Sequence, residues 1–184
     1  MRSLCATLLV AFVLGAPTTR AMEVVALETR VADGAYHVMV EALLDAPAGR
    51  VAQVLTEYAS YASLDPRVRV SEVIGSTAAG EQLVRTSIRA CAAFFCRHVN
   101  RVERVRVLRD HVEAEVLPER SDMRSGWSRT DWSDEAGRTR IRYTAEFEPD
   151  FWVPSIVART YAATAMRESV VQLFRNVEDR ARAR

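Results

Sequence analysis

From Val68 to Phe147 this chain reads as strand after strand broken at turn residues, and it then runs as a single helix from about Pro154 to Asp179. That order is the strongest constraint on the fold. Strands that follow one another through short turns pair antiparallel, and one long helix with an apolar stripe must lay that stripe on the sheet. The strands expected are 68–74, 82–90, 96–108, 111–117, 125–133 and 139–147, with breaks at Gly75 to Gly80, Asp110, Pro118 and Gly137. Alternation is cleanest where Val112, Ala114 and Val116 oppose Glu113 and Glu115, and where Ile141, Tyr143, Ala145 and Phe147 oppose Arg140, Arg142 and Glu146. Such strands have one dry face and one wet face. In the helix, Ile156, Ala163, Met166, Val170, Leu173, Phe174 and Val177 fall near one side, leaving Arg159, Glu168, Arg175 and Glu178 for solvent. Pro154 suits a helix start.

Before the meander, residues 24–31 and 36–44 read as a hairpin about Asp33-Gly34, a pair that readily takes positive φ. Tyr36, Val38, Val40, Ala42 and Leu44 share one face of its second strand. Asp45 and Pro47 open a helix whose buried stripe is Val51, Val54 and Leu55, and Tyr58, Tyr61, Leu64 and Pro66 mark a second, broken helix.

The first residues read as a secretory leader. Arg2 precedes an apolar run over residues 4–15, and small residues lead to a cut after Ala21. A bilayer crossing needs about 20 apolar residues, so this run is an address and not an anchor. Cys5 begins the run instead of ending it, which argues against lipidation. The remaining residues 22–184 are expected to form one domain in the periplasm or outside the cell. The whole chain has 25 basic and 24 acidic residues with no long single-sign block, which gives no support for nucleic-acid binding. Cys91 and Cys96 would survive export into an oxidising compartment, and a disulfide between them is expected. A metal half-site lacks ligands beyond His98, and a redox pair would space its thiols more closely. No metal or cofactor is expected. Four intervening residues suit a hairpin loop whose closure stabilises by about 2 kcal/mol.

The segment Ala46-Pro47-Ala48 leading into Val51, Val54, Leu55, Thr56 and Tyr58, then Tyr61, Leu64 and Pro66, together with the proline-started last helix, resembles the START-like, or SRPBCC, superfamily. Within it the likeness is to polyketide cyclases and coenzyme Q-binding START-domain proteins, and it spans about Tyr36 to Asp179. The resemblance implies an α+β helix-grip fold, a curved antiparallel sheet around a long C-terminal helix with a cavity between them. The leader, an additional first strand and the Cys91 to Cys96 segment depart from the usual pattern.

Within that frame the candidate cavity residues are Val112, Ala114, Val116, Trp127, Tyr143, Phe147, Ala163, Met166 and His98, the last projecting inwards with Asn100 beside Val102. Each apolar one also has an ordinary reading as core, and Ala162, Ala163, Ala165 and Met166 serve close packing as well as adaptable space. No catalytic residue is assigned: His37, His98 and His111 are scattered over strands, and Asp131 and Asp134 lie near a turn. Phe94 and Phe95 sit at a hairpin tip, where exposure is costly. They are expected to fold down onto the domain, with ligand or transient membrane contact as the alternatives.

Three functions fit. The first is a carrier or sensor of an apolar small molecule such as a lipid, an isoprenoid or a polyketide-like compound. The second is a cyclase or aromatase, which requires two or more convergent titratable groups inside the cavity. The third is an interaction module that docks through Phe94 and Phe95 over a closed core. The oligomeric state is not legible in the sequence.

Overall fold

The computed structural model describes residues 21–183, so the expected leader up to Arg20, Cys5 included, lies outside the described residues. The first hairpin joins β1 (Glu23–Ala32) to β2 (Ala35–Leu44). Its turn residues Asp33 and Gly34 have φ of 52° and 84°, the left-handed geometry that matches strand twist. Next come α1 (Ala48–Thr56), a single 3-10 turn at Tyr58–Ser60 and α2 (Tyr61–Leu64). The meander follows as β3 (Val68–Ser76), β4 (Gln82–Ala92), β5 (Phe95–Val107), β6 (His111–Val116), β7 (Met123–Glu135) and β8 (Arg138–Pro149). All pairings are antiparallel, in the order β1-β2-β8-β7-β6-β5-β4-β3. The last helical run starts after Pro154, passes through π-helical turns at Val157–Ala162 and continues as α3 (Ala163–Arg182). This is the α+β helix-grip architecture expected from the resemblance.

Cross-strand partners share a face, so register alone identifies the inward set. Val40 pairs with Tyr143, Ala42 with Ile141, Tyr143 with Thr130 and Thr130 with Val112. At one end of this face the packing is dense. Val40, Ala42, Leu44, Ile141, Val51, Phe174 and Val177 are almost wholly excluded from solvent. The α3 stripe of Val170, Phe174, Val177 and Ala181 advances by four, three and four residues, the spacing that keeps one helix side against α1 and the sheet.

Two expectations about the helix need correction. The π turns take more residues per turn than an α-helix, and this shifts the stripe at the helix start. Val157 is buried there, whereas Ile156 is 57% exposed. Glu178, expected in water, is buried. Its carboxylate accepts the backbone N–H of Met22 at 3.2 Å and of Asp45 at 2.8 Å, and it pairs with Arg182 at 3.1 Å. One side chain thus ties the start of β1 and the end of β2 to the last helix. Asn176 and Arg180 extend the attachment to α2, donating to the backbone of Leu64 and to Ser63.

Candidate functional site

At the other end of the sheet the inward face is lined but not filled. Tyr143, Phe147, Ala114 and Met166 face the helix or belong to it, yet each keeps partial exposure. Inward-facing groups that water still reaches mark this end as less closely packed than the other, and the region between them is termed the recess. Three more strands contribute to it. β4 and β5 pair Val84 with Glu103, Thr86 with Arg101 and Ile88 with Val99, and β5 and β6 pair Glu103 with Val116. Arg101 and Glu103 therefore stand on the same inward face as Ala114 and Val116.

The polar groups follow one another from mouth to floor. Arg97 lies over the Phe151 ring at 4.4 Å, and Arg101 lies over the Phe147 ring at 5.0 Å. Such stacking suits a guanidinium, which is planar and weakly hydrated. The Phe147 ring is seated by a glycine: a Cβ at Gly126 would come within 2.7 Å of the ring and 2.8 Å of Val116. Deeper still, Arg101 Nε approaches Glu103 Oε2 to 2.9 Å. The N–H does not point at the carboxylate, so the contact is an ion pair and not a hydrogen bond.

Glu103 is 5% exposed. Burial holds its carboxyl above the usual carboxylate range, and the charge of Arg101 opposes that rise. Tyr58, Tyr61 and Tyr143 lie close enough to feel its charge. Burial pushes the Tyr143 hydroxyl up to about 12, Arg101 acting against this and Glu103 adding to it. The Tyr58 hydroxyl is raised by burial and then by Glu103, and that of Tyr61 by burial and then by Tyr58 and Glu103. The Tyr61 hydroxyl donates to the Leu55 carbonyl, and its ring meets that of Tyr58 at 5.3 Å. The Tyr143 ring meets Phe174 edge-on at 6.0 Å, so this aromatic joins recess and core. Two buried oxygens on this inward face, Thr86 Oγ1 and Glu103 Oε1, have no hydrogen-bond partner among the described residues. Buried polar atoms are usually satisfied, and an unpartnered pair beside a guanidinium invites an oxygen-bearing group.

Of the residues expected in the cavity, Tyr143, Phe147 and Ala114 line the recess. Val112 and Val116 share the inward face but are fully packed. Ala163 and Met166 lie in the first turns of α3, partly covered. Trp127 and His98 are not in the recess. Trp127 pairs with Glu115 and Glu146 on the outer face and is 43% exposed. His98 pairs with Arg89, out of phase with the inward Val99, and is exposed with Asn100. Val102 shares that outer face. It is buried because the segment after β6 covers it: Leu117 donates to its carbonyl and Ser121 Oγ accepts from its N–H. The other histidines are also outside the recess, His37 against Glu146 and His111 against Asp110.

Two open grooves, of about 840 and 520 Å³, border Trp127 and Glu146. The larger runs over the outer face, where Arg104, Arg106 and Arg129 are each paired with carboxylates. Its charges satisfy one another, so it is a weaker candidate than the recess.

The β4–β5 hairpin extends past β3 as a two-stranded finger. Cys91 and Cys96 are direct cross-strand partners joined by a disulfide, with Cα atoms 4.1 Å apart. The turn is tighter than the four-residue loop expected, since the strands run to Ala92 and resume at Phe95. Ala93 takes a left-handed φ of 50°, and Phe94 is turned outwards, 77% exposed. The expectation that Phe94 folds onto the domain fails because a two-residue turn leaves its tip no surface to lie on.

Comparison with known proteins places this geometry among relatives. The profile of a family described as polyketide cyclase / dehydrase and lipid transport matches residues 35–182. β1 and its clamp to Glu178 therefore lie partly before the matched region. No curated protein matches the chain by sequence. A START superfamily protein from Mycobacterium smegmatis superposes with a TM-score of 0.63 at 12% identity, over 80% of this chain and 97% of that one. The Zhui aromatase/cyclase from Streptomyces sp. R1128 gives 0.58 at 20% identity, over 82% and 95%. A STAR-related lipid transfer protein fragment from Xanthomonas axonopodis gives 0.59 at 16% identity, over 85% and 98%. At these identities the superpositions establish the fold.

Proposed function

Because the chain belongs to the polyketide cyclase / dehydrase and lipid transport family, we propose that it encloses a largely apolar small molecule with one oxygen-bearing end, outside the inner membrane. The observation that carries this is the Arg101–Glu103 pair near Tyr58, Tyr61 and Tyr143 in a largely apolar interior, where Thr86 Oγ1 and Glu103 Oε1 have no partner among the described residues. Apolar burial drives binding at about 25 cal/mol per Å², and the polar floor sets which end of the molecule enters first. Native mass spectrometry of residues 22–184, purified from an envelope fraction and after incubation with extracted envelope lipid, tests this. A retained apolar ligand is expected, and its absence from both preparations defeats the reading. The leader supports export, and N-terminal sequencing of the processed protein is expected to begin at Met22.

The same cluster favours a second reading, cyclase-type catalysis. It meets the requirement for two or more convergent titratable groups. Glu103 would take a proton from an activated methylene, the enolate carbon would add to a ketone carbonyl of the same chain to form the ring C–C bond, and the proton would return to the resulting alkoxide, with Arg101 holding the enolate oxygen. A synthetic linear poly-β-ketone thioester is the probe. Cyclised product that disappears in Glu103→Gln supports catalysis, and substrate bound without turnover restricts the protein to carriage.

A further inference from the structure

The two most exposed large hydrophobic residues in the described structure, Phe94 at 77% and Trp152 at 76%, lie on different elements that one contact links. The stacking of Arg97 on Phe151 brings the finger against the segment between β8 and the last helix. Phe94 is three residues from one partner of that contact and Trp152 is next to the other. The helix start that follows adds Ile156 at 57% and Tyr161 at 42% exposure, and its π turns pack near β4. These four residues therefore rim the mouth of the recess.

Charge at the rim has one sign. Residues 82–102 contain no Asp or Glu, nor do residues 151–167. Arg89, Arg97 and Arg159 are exposed there, and none has a carboxylate partner among the described residues. The nearest acids before this segment in sequence, Glu148 and Asp150 at the end of β8, are engaged by Arg124. Exposed aromatic groups with arginines at their edge are the composition of a surface that lies in the head-group layer of a bilayer. No described helix is long and apolar enough to cross a membrane, so the contact suited to this rim is interfacial.

We propose that the rim formed by Phe94, Trp152, Ile156 and Tyr161 docks on an anionic lipid bilayer, with Arg89, Arg97 and Arg159 meeting the head groups. A second copy fits less well, because a rim-to-rim contact would set these arginines against their counterparts. Docking there places the mouth on the bilayer, and a lipid-derived molecule would enter past Arg97 and Phe151 without crossing water. This use of the rim rests on the recess being the ligand site. The docking itself is measurable separately.

Flotation of residues 22–184 with vesicles of equal parts phosphatidylglycerol and phosphatidylcholine tests it. The chain is expected to float with these vesicles, at least about tenfold less with pure phosphatidylcholine, and progressively less as salt is raised. Phe94→Ser with Trp152→Ser is expected to reduce flotation at least about tenfold, and Arg89→Glu with Arg159→Glu to abolish the preference for the anionic lipid. Both pairs are at the surface and should leave the circular dichroism spectrum and Tm in place. Trp127→Ser, on the outer face, should float like the unaltered chain. The proposal is overturned if the unaltered chain stays unbound with anionic vesicles, if Phe94→Ser with Trp152→Ser floats equally well, or if the rim mediates a concentration-dependent dimer that excludes vesicles. Flotation by a chain that takes up no lipid from detergent solution would keep the docking surface and remove the ligand reading.

Discussion

The two ends of the sheet are built from the same alternating strands but packed to different purposes. At one end, Leu44, Val51, Ile141, Phe174 and Val177 exclude solvent almost entirely, and the buried Glu178 stitches β1, β2 and α3 together. At the other end the helix begins in π turns, inward aromatics keep exposed surface, Arg97 and Arg101 stack on aromatic rings, and Phe94 and Trp152 stand in solvent. A closely packed end can hold the fold while the other carries groups that a stable core would exclude. Unmatched polar atoms are informative where function is expected, and Thr86 Oγ1, Arg101 Nε and Glu103 Oε1 are such atoms on the inward face of β4 and β5.

This contrast predicts that substitutions at the closed end cost stability and those at the open end cost binding. Phe174→Ala should have the largest effect, a loss of about 3–5 kcal/mol in chemical denaturation, because it removes a fully buried ring that also supports Tyr143. A loss below 1 kcal/mol would show that the core tolerates a cavity there and would blur the division. Glu178→Ala leaves the backbone N–H groups of Met22 and Asp45 without their acceptor, at a cost of about 1–3 kcal/mol. Glu178→Gln, which keeps one acceptor oxygen, should cost less by the same measurement.

Gly126→Ala sits on the boundary. Its new methyl must displace the Phe147 ring or Val116, with a cost of about 1–3 kcal/mol and a change in ligand uptake. Unaltered uptake would place Phe147 outside the ligand's path. Replacing Cys91 and Cys96 by serine should lower global stability by no more than about 2 kcal/mol, since the finger they close projects past β3. Thiol counting under denaturing, non-reducing conditions should find no free thiol among the mature residues.

The smallest expected effect is a pH dependence. Burial raises the Glu103 pKa above its ordinary 4.5, so the unfolded chain ionises first as pH rises. The stability linked to this carboxyl is thus fully present below about 4.5 and is lost as pH climbs through the higher folded value. Glu103→Gln removes that dependence. Its Tm relative to the unaltered chain should therefore be more favourable at pH 7 than at pH 4, and an unchanged difference would mean that Glu103 is not held in a desolvated site.

Much of this architecture is legible residue by residue. Asp33-Gly34 announces its turn, Val112, Ala114 and Val116 against Glu113 and Glu115 assign their faces, and the stripe through Val170, Phe174 and Val177 assigns the helix. The candidate site was less legible. Tyr143 and Phe147 lie on a cleanly alternating strand, and its register puts both on the inward face. Arg101 and Glu103 were missed because the valines of β5, at 99, 102, 105 and 107, do not alternate. Val102 is buried from the outer side by the segment after β6, so hydrophobicity alone gave that strand the wrong phase and sent His98 inwards. Pairing Arg101 with Thr86, and Glu103 with both Val84 and Val116, would have exposed the error, but strand register is not visible in one strand's composition.

Local chemistry in the sequence by itself determined the order of elements, the positions of most turns and the closure of Cys91 with Cys96, because each depends on residues near one another in the chain. Only the tertiary structure decided that Arg101 pairs with Glu103 near three tyrosines, that Glu178 leaves water to bind two distant backbone N–H groups, and that the Arg97–Phe151 contact brings the finger bearing Phe94 to the segment bearing Trp152. These groups are brought together by long-range strand pairing and by the π turns that rephase the last helix. The energetic terms that place them there act between residues far apart in the chain, and no local pattern records them.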